Sequence, residues 1–331
     1  MGGDHAPAEV VRGSVSFVRS SRPEAAGVTL QLIGDPEAIR SCLRKLEADA
    51  DARLVVVAAT QVVGMDEHPL EAFRKKPDSS IAVCAKRVKS GEAHATVSAG
   101  NTGACLVAAV MIIERLSQIS RPPIACVLPT LSGIPILLVD GGANVDCQPS
   151  HLADFALLGS LYSERVFGIP RPRVALLSNG EEEGKGDELV KRTRPLLQAL
   201  PINFIGSIEG NHFAEDRADV IVCDGFAGNV LLKTAEGMGA LALSVIERAV
   251  KNSTEPVECA ALEKVLADVR RRVDYAEYGG APLLGLNGVS VIAHGRSDAR
   301  AIESAIGMAS RAARSGYVNA VKLALEGSVA G

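Results

Sequence analysis

A short apolar run, a polar loop rich in glycine and asparagine, and a longer segment with helical spacing follow one another five times along the chain. The repeated order predicts strands that alternate with helices. The predicted strands are residues 95–98, 134–139, 173–177, 219–223 and 289–293, and the helices that follow them end at residues 116, 167, 200, 250 and 314.

This alternation predicts an α/β fold. Neighbouring parallel strands need a crossover of about a dozen residues, so a mainly parallel sheet with helices on both faces is expected. Ligands of such sheets bind beyond the carboxyl ends of the strands, and each polar loop here follows a strand. We therefore expect the loops to converge on one candidate site.

The chain of 331 residues is expected to form a single α/β catalytic unit over residues 1–331. A weak boundary near Ser120 to Pro123 would divide it into two tightly packed lobes. Residues 251–272 differ from the rest, because they are charged, contain Pro256 and end in Arg270 to Arg272. We interpret this segment as an excursion from the sheet.

Composition excludes several classes of protein. The net charge of −4, 3% aromatic residues and no tryptophan argue against nucleic-acid binding. The seven cysteines include no C-x-x-C pair, so neither a zinc site nor a disulfide framework is expected. No signal-peptide pattern opens the sequence, and the longest apolar run, residues 104–113, is too short to span a bilayer. These features predict a cytoplasmic protein.

The loop from Ser98 to Gly103 places glycines between a strand and a helix. Backbone N–H groups there, with those of Gly100, Asn101 and Thr102 among them, could hold phosphate. A plain turn and helix cap explains the same residues equally well. The spacing completes neither a nucleotide P-loop nor a dinucleotide fingerprint.

Lys185 lies between two glycines after the third strand, where an ammonium group could neutralise phosphate. The alternative is a solvated lysine paired with one of Glu181 to Glu183. That acidic run could also bind a metal, but acidic runs in loops are usually solvated, and we expect no metal requirement.

Two further loops share a form, with a carboxylate at the end of a strand, then glycines, then an amide. They run from Asp140 to Asn144 and from Asp224 to Asn229. Such groups can orient a nucleophile or stabilise an oxyanion, although a helix cap or turn is the commoner role of each.

Three other side chains are candidates of lower specificity. His294 after the last strand, and His5 beside Asp4, could transfer protons, or they could be structural histidines. Cys147 is interpreted as a buried structural thiol rather than an acyl carrier. Residue patterns alone thus predict an α/β enzyme with an anion-binding cleft.

Eight phrases in order resemble the PlsX family of phosphate acyltransferases. They are MGGDHAP, SAGNTGA, PTLSG, LVDGGANVDCQP, NGEEEGKG, VCDGFAGNVLLKT, YGGAPLLGLNG and HGRSD. The resemblance covers essentially the whole chain. It implies a three-layer α/β/α fold similar to phosphotransacetylases and isopropylmalate dehydrogenases, and an enzyme without cofactors that makes acyl phosphate from acyl-acyl carrier protein and inorganic phosphate.

The resemblance also assigns roles and partners. It implies that Lys185 and Asn229 are needed for activity, that the loop from Ser98 to Gly103 holds phosphate, and that Asp140, Asn144 and Asp224 support the cleft. The expected partners are acyl carrier protein, a second copy of the chain in a homodimer, and a membrane-bound glycerol-3-phosphate acyltransferase that uses the product.

Two features depart from the family pattern. Family members usually carry a short apolar strand just before the Met-Gly-Gly-Asp phrase, so the sheet is expected to lack a strand beside the site. The excursion at 251–272 is charged where relatives have an apolar tip. Membrane contact is therefore expected to be weak, and the basic residues could instead meet the acidic carrier protein.

The sequence patterns are also compatible with other functions. A phosphotransacetylase that uses acyl-coenzyme A would need the same thioester chemistry. A non-catalytic scaffold for lipid-synthesis enzymes would keep the loops for folding alone. A decarboxylating dehydrogenase is disfavoured because the dinucleotide fingerprint and a metal-binding carboxylate set are missing.

Overall fold

A computed structural model describes the backbone of residues 1–252, 256–273 and 279–329, and the side chains of all these except 256–260, 271–273, 328 and 329. The strands are β1 Leu30–Gly34, β2 Leu54–Ala58, β3 Ala95–Ser98, β4 Ala125–Leu128, β5 Ile136–Val139, β6 Arg173–Ser178, β7 Asn203–Glu209, β8 Val220–Val222, β9 Ala281–Leu283 and β10 Val289–Ile292. The helices are α1 Ala8–Arg19, α2 Pro36–Lys45, α3 Pro69–Lys75, α4 Ser80–Lys89, α5 Thr102–Ala108, α6 Pro149–Val166, α7 Glu188–Ala199, α8 Gly225–Asn252, α9 Pro256–Val273, α10 Ala299–Arg314 and α11 Tyr317–Val329. A π-helical segment, Ala109–Glu114, continues α5.

All five predicted strand-and-helix pairs are present, as β3–α5, β5–α6, β6–α7, β8–α8 and β10–α10. The fourth differs in one respect. The segment from Asp224 to Asn229 was expected to be a loop, but α8 begins at Gly225. The Asp224 carboxylate accepts the backbone N–H groups of Phe226 and Ala227, both at 2.9 Å, which starts the helix at once.

The strands form sheets of two, three and five strands, in the orders β1-β2, β3-β10-β9 and β4-β5-β8-β6-β7. Pairing is parallel except where β4 meets β5 and β9 meets β10. The three- and five-stranded sheets are joined by a bridge between Ile124 and Leu283 and by the N–H of Leu284, which donates to Pro123 O at 2.9 Å. The segment proposed as a boundary therefore leads directly into the junction between these sheets.

Both faces of the five-stranded sheet are covered. Along β5, Leu137 and Val139 pack into the core that includes α6, whereas Ile136 and Leu138 pack into the core reached by the first turns of α8. Alternate residues of a strand point to opposite faces, so a strand that is apolar throughout must be buried on both sides. This arrangement is the three-layer α/β/α fold that the sequence predicts.

The two-stranded sheet and the three-stranded sheet are separated by a gap between β1 and β3. In the part of the chain that the structure describes, β1 and β3 have no strand partner on the edges that face each other, and both strands line a cavity of about 650 Å³. Gln31 crosses the gap and donates from Nε2 to Glu92 O at 2.9 Å, while its buried Oε1 has no partner in the described part of the chain. Met1 also lines this cavity, and burial lowers the pKa of its amino group.

Within the predicted excursion of residues 251–272, residues 251 and 252 end α8, and α9 packs against α8 as the second arm of a helical hairpin. Arg270 of α9 pairs with Glu247 of α8. The side chains of Arg271 and Arg272 lie outside the described residues.

By length and composition alone, α8 is the one helix in the described residues that could cross a membrane, and none of its apolar stretch is buried within the protein. Lys233 and Glu236 divide the sequence of α8, so it contains no uninterrupted apolar run long enough to span a bilayer.

Candidate active site

The loops that follow β5, β8 and β6 lie side by side. These strands are neighbours in the sheet and run parallel, so their carboxyl ends meet at one edge. The edge therefore brings together the Asp140 loop, the start of α8 with Asn229, and the loop that carries Lys185.

Asp140 is fully buried and is the centre of its loop. Its Oδ1 accepts the backbone N–H groups of Ile124 at 2.9 Å and of Gly142 and Ala143 at 3.1 Å. Its Oδ2 accepts two N–H groups of Asn144, from the backbone at 2.7 Å and from Nδ2 at 2.9 Å. Burial raises the pKa of Asp140, and these hydrogen bonds oppose the rise. The carboxylate therefore holds the loop in shape.

Asn144 links that loop to two other segments. Its Nδ2 also donates to Pro122 O at 3.1 Å, and its own carbonyl accepts the N–H of Gly225 at 2.8 Å. The Asn144 amide, which was expected to support the cleft, is thus buried and hydrogen-bonded within the protein.

Two glycines allow α8 to approach the Asp140 loop closely. A Cβ on Gly228 would overlap the carbonyl oxygen of Asp140, and a Cβ on Gly225 would lie 2.8 Å from Asn144 O. As a result, the exposed side chain of Asn229 lies over Gly142, with its Oδ1 3.7 Å from the position of a Gly142 Cβ. This packing thus places the polar side chain of Asn229 over the loop that follows β5.

Lys185 is exposed on the loop between β6 and α7. Its aliphatic stem lies against Gly180, where a Cβ would be 2.6 Å from the Lys185 Cγ. The turn is closed by the Lys185 N–H, which donates to Glu182 O at 3.0 Å, and by the Gly186 N–H, which donates to Asn179 Oδ1 at 3.0 Å. Glu181 pairs with Arg217 at 2.9 Å rather than with Lys185. The contacts of Lys185 therefore lie within its own loop.

The loop from Ser98 to Gly103 is fixed by Asn101. The Asn101 Oδ1 accepts the N–H of Ala104 at 2.9 Å and caps α5, while Nδ2 donates to the carbonyls of Gly64, Met65 and Glu67 at 3.3, 2.8 and 3.1 Å. The Asn101 side chain is thus fully engaged.

Other residues of this loop also have structural roles. Gly103 is needed because a Cβ there would overlap Pro69 of α3. Ser98 Oγ accepts the N–H of Gly100 at 3.3 Å and the thiol of Cys105 at 3.2 Å. The first N–H groups of a helix have no partner within the helix, so Thr102 and Gly103 supply the donors with which the loop could bind an anion.

The N-terminal phrase packs against two of these loops. The Asp4 N–H donates to Gly295 O at 3.0 Å, and a Cβ on Gly3 would lie 2.5 Å from Ala99 O. His294 Nδ1 accepts the Arg296 N–H at 3.2 Å. His5 is exposed, and its carbonyl accepts the Glu9 N–H at 3.1 Å as α1 begins. Asp4 and His294 are therefore brought close to the Ser98 loop.

Burial raises the pKa of the Cys147 thiol to about 11, and the thiol donates to Asn144 O at 3.2 Å. Such a thiol is a poor nucleophile at neutral pH. Within the described residues, no three His, Cys, Asp or Glu side chains are grouped as metal ligands would be.

Sequence reasoning missed the segment from Gly64 to Glu67, which supplies the carbonyls that hold Asn101. The only signal for it is the turn composition of Gly64 to Pro69, which does not indicate what the turn contacts.

The comparisons with known proteins agree with this architecture. A family model described as "Fatty acid synthesis protein" matches residues 1–320. The phosphate acyltransferase of Desulforamulus reducens is 47% identical over 327 residues, which are 98% of this chain and 96% of the relative. The chain belongs to the PlsX family of phosphate acyltransferases.

A second PlsX family member, the phosphate acyltransferase of Heliobacterium modesticaldum, is 47% identical over 99% of this chain and 97% of its own. Among solved structures, a phosphotransacetylase from Streptococcus pyogenes matches 93% of this chain and 91% of its own, with a TM-score of 0.65 and 18% identity. That likeness shows the phosphotransacetylase-like fold. Membership of the PlsX family shows that the chain is an enzyme that transfers acyl groups with phosphate.

Proposed function

We propose that this enzyme converts acyl-acyl carrier protein and inorganic phosphate into acyl phosphate and free carrier protein, as a step towards phosphatidic acid in phospholipid synthesis. The observation that carries the proposal is the 47% identity with a phosphate acyltransferase across 98% of the chain. The polar loops at the carboxyl ends of β5, β6 and β8 support it, because anionic substrates bind at this edge of α/β sheets.

The reaction is direct attack of bound phosphate on the thioester. A phosphate oxygen forms a bond to the carbonyl carbon, the resulting oxyanion collapses, and the carbon–sulfur bond breaks. The proton of HPO₄²⁻ ends on the released thiol, so atoms and charge balance without a covalent enzyme intermediate. Catalysis then depends on positioning and on charge stabilisation.

Three groups take the direct roles. The exposed ammonium of Lys185 neutralises phosphate as the nucleophile approaches the thioester. Asn229 orients the phosphate or donates a hydrogen bond to the oxyanion from its place over Gly142. The N–H groups of Thr102 and Gly103 bind phosphate oxygens at the start of α5.

The remaining site residues are supporting. Asp140 and Asn144 fix the loop beneath Asn229, and Asp224 caps the helix that carries it. Asp4, His5 and His294 support the Ser98 loop from the N-terminal side, as the Asp4 bond to Gly295 O indicates. Asn101 and Ser98 hold the phosphate loop in shape.

The hairpin of α8 and α9 is the proposed contact surface. Met238, Leu241 and Val245 of α8 are 59%, 55% and 59% exposed, and this apolar row supports a homodimer. Arg248 and Lys251 are exposed near the end of α8 and could meet the acidic carrier protein. We propose that the enzyme is cytoplasmic, touches the membrane weakly, and passes acyl phosphate to a membrane-bound glycerol-3-phosphate acyltransferase.

The testing experiment measures phosphate-dependent release of carrier protein from long-chain acyl-acyl carrier protein, with acyl phosphate trapped by hydroxylamine. Acyl-coenzyme A at the same concentration is run beside it. Product from the carrier substrate at a kcat/KM at least about tenfold higher, which corresponds to about 1.4 kcal/mol, is the expected result.

The other outcomes identify the alternatives. Preference for acyl-coenzyme A would make the protein a phosphotransacetylase. No product from either thioester would overturn the proposal and favour a scaffold. Reversal of the charges of Arg248 and Lys251 should raise KM for the carrier substrate while leaving acyl-coenzyme A turnover unchanged.

A further inference from the structure

Arg194 of α7 is a buried charged side chain without a carboxylate partner among the described residues. It is 9% exposed, and its Nη2 donates to Ser207 Oγ of β7 at 2.8 Å and to the backbone carbonyl of Glu182 at 3.3 Å. Its buried Nε has no hydrogen-bond partner in the described part of the chain. Burying a cation is costly unless its contacts compensate, so the side chain calls for an explanation.

The carbonyl that Arg194 binds is the one that closes the turn bearing Lys185. Glu182 O accepts both the Arg194 Nη2 and the backbone N–H of Lys185, the latter at 3.0 Å. Arg194 therefore connects this turn to β7 through Ser207. The Lys185 stem lies on Gly180, next to the same turn. A shift of Glu182 O would move the Lys185 backbone with it.

A second arginine holds the other side of the loop. Arg217 pairs with Glu181 at 2.9 Å and with Glu215 at 2.8 Å, but these groups are exposed and such pairs contribute little to stability. The hydrogen bonds of Arg194 are partly buried, so solvent screens them less than it screens the exposed ion pairs of Arg217. The loop itself is exposed, so the hydrogen bonds of Arg194 and the ion pairs of Arg217 hold it in one conformation.

We propose that Arg194 is a positioning residue that holds the Lys185 loop in its working geometry. The inference rests on the proposed function of Lys185 and adds a residue that the sequence motifs do not mark. Displacement of a catalytic group by about 1 Å can lower a rate about 100-fold, so loss of this tie should be visible in turnover.

The test uses Arg194→Met, which keeps an apolar stem of similar length, and Arg194→Lys. Thr193→Val is the matched control, because Thr193 is the buried neighbour on α7 and its hydroxyl donates to Leu189 O of the same helix at 2.7 Å. Ser207→Ala is a second variant that removes the other partner of Arg194 without removing its charge. Folding of each variant is checked by urea denaturation.

The first readout is hydrogen exchange of the amides of residues 179–186, which needs no activity. We expect Arg194→Met to raise exchange there at least about tenfold, and Thr193→Val to leave it unchanged. Unchanged exchange in Arg194→Met would overturn the proposal. This readout needs no substrate. It therefore tests whether Arg194 holds the Lys185 loop even if the enzyme uses another thioester or no thioester.

The second readout is kcat/KM for phosphate in two backgrounds. We expect Arg194→Met to lower it about 10- to 100-fold in the native chain, Arg194→Lys to recover part of the loss, and Arg194→Met to have less than a twofold effect when Lys185→Ala is already present. An equal loss in both backgrounds would show that Arg194 acts on the fold and not through Lys185. Full activity of Lys185→Ala alone would instead overturn the proposed role of Lys185.

Discussion

The side chain of Asn144 and its backbone N–H both donate to Oδ2 of Asp140, at 2.9 and 2.7 Å. This double contact turns the loop after β5 into a closed unit with a buried carboxylate at its centre. The same Asn144 accepts the N–H of Gly225 through its carbonyl, so the unit also fixes the start of α8. The position of Asn229 on α8 thus depends on the buried carboxylate of Asp140, through Asn144 and Gly225.

Asp140→Ala should lower the free energy of unfolding by about 4 kcal/mol, because several buried N–H groups lose their acceptor. Asp35→Ala, which removes an exposed cap of α2, should cost about 1 kcal/mol. Urea denaturation of both variants measures the difference. Equal losses would mean that the Asp140 hydrogen bonds do not organise the loop.

Two glycines of α8 should respond to alanine in opposite directions. Gly228→Ala places a methyl group against Asp140 O and should destabilise the protein by about 2 kcal/mol, with loss of phosphate-dependent turnover. A Cβ on Gly237 of the same helix meets nothing within 4 Å, so Gly237→Ala should stabilise it by about 0.5 to 1 kcal/mol. Thermal unfolding distinguishes them, and a harmless Gly228→Ala would disprove the close approach.

Asp154 of α6 should make stability depend on pH. Burial raises its pKa from 3.8 to about 6. At a pH between these two values, the Asp154 carboxyl is therefore protonated in the folded protein and ionised in the unfolded chain. This contribution to stability therefore falls as the pH rises from about 4 to about 6, and it stays unfavourable at pH 7.

Asp154→Asn should accordingly be more stable than the native chain at pH 7, by about 2 kcal/mol at most, and the difference should shrink towards pH 4. Urea denaturation across this pH range measures it. Asp146→Asn, at an exposed position of the loop before α6, serves as the control. A difference independent of pH would exclude titration of Asp154 as the cause.

Lys185→Ala should lower kcat/KM for phosphate by about 100-fold or more, because the charge that meets the nucleophile is lost. Its free energy of unfolding should change by less than about 0.5 kcal/mol, since the side chain is exposed. Lys191→Ala, an exposed lysine of α7, should retain full activity. Near-native turnover of Lys185→Ala would remove this residue from the mechanism.

The cavity between β1 and β3 should accept one more strand. A chain extended before Met1 by about five alternating apolar residues should pair with both free edges, and it should gain about 2 kcal/mol or more in free energy of unfolding. Extension by the same number of Gly and Ser residues is the control. Equal stability of the two extended chains would show that the cavity does not take up a strand.

The pH dependence gives an independent check on that cavity. Burial lowers the pKa of the Met1 amino group, so stability should rise as the pH increases towards the ordinary value of 8.0. The apolar extension moves this amino group away from the cavity and should remove that part of the pH dependence, which unfolding at pH 6 and pH 8.5 would measure.

The local pattern of the sequence was enough to predict the fold class. Period-two and period-3.6 spacing depend on neighbours along the chain, and the five strand-and-helix pairs follow from it. The family was identified from ordered phrases for the same reason, since a phrase is a local feature. The start of α8 was misjudged because one carboxylate can either line a loop or cap a helix, and only the backbone N–H groups that Asp224 meets decide between them.

Tertiary structure decided what each polar residue does. The sequence marks Asn101, Asn144 and Asn229 alike, as amides that follow glycines. Packing buries the first two and uses their hydrogen bonds inside the protein, whereas it leaves Asn229 exposed over Gly142. Arg194 shows the converse, because nothing in its helical segment distinguishes it from its exposed neighbour Arg192. Its burial against β7 arises from contacts between segments that are distant in sequence, and a local sequence pattern cannot predict such contacts.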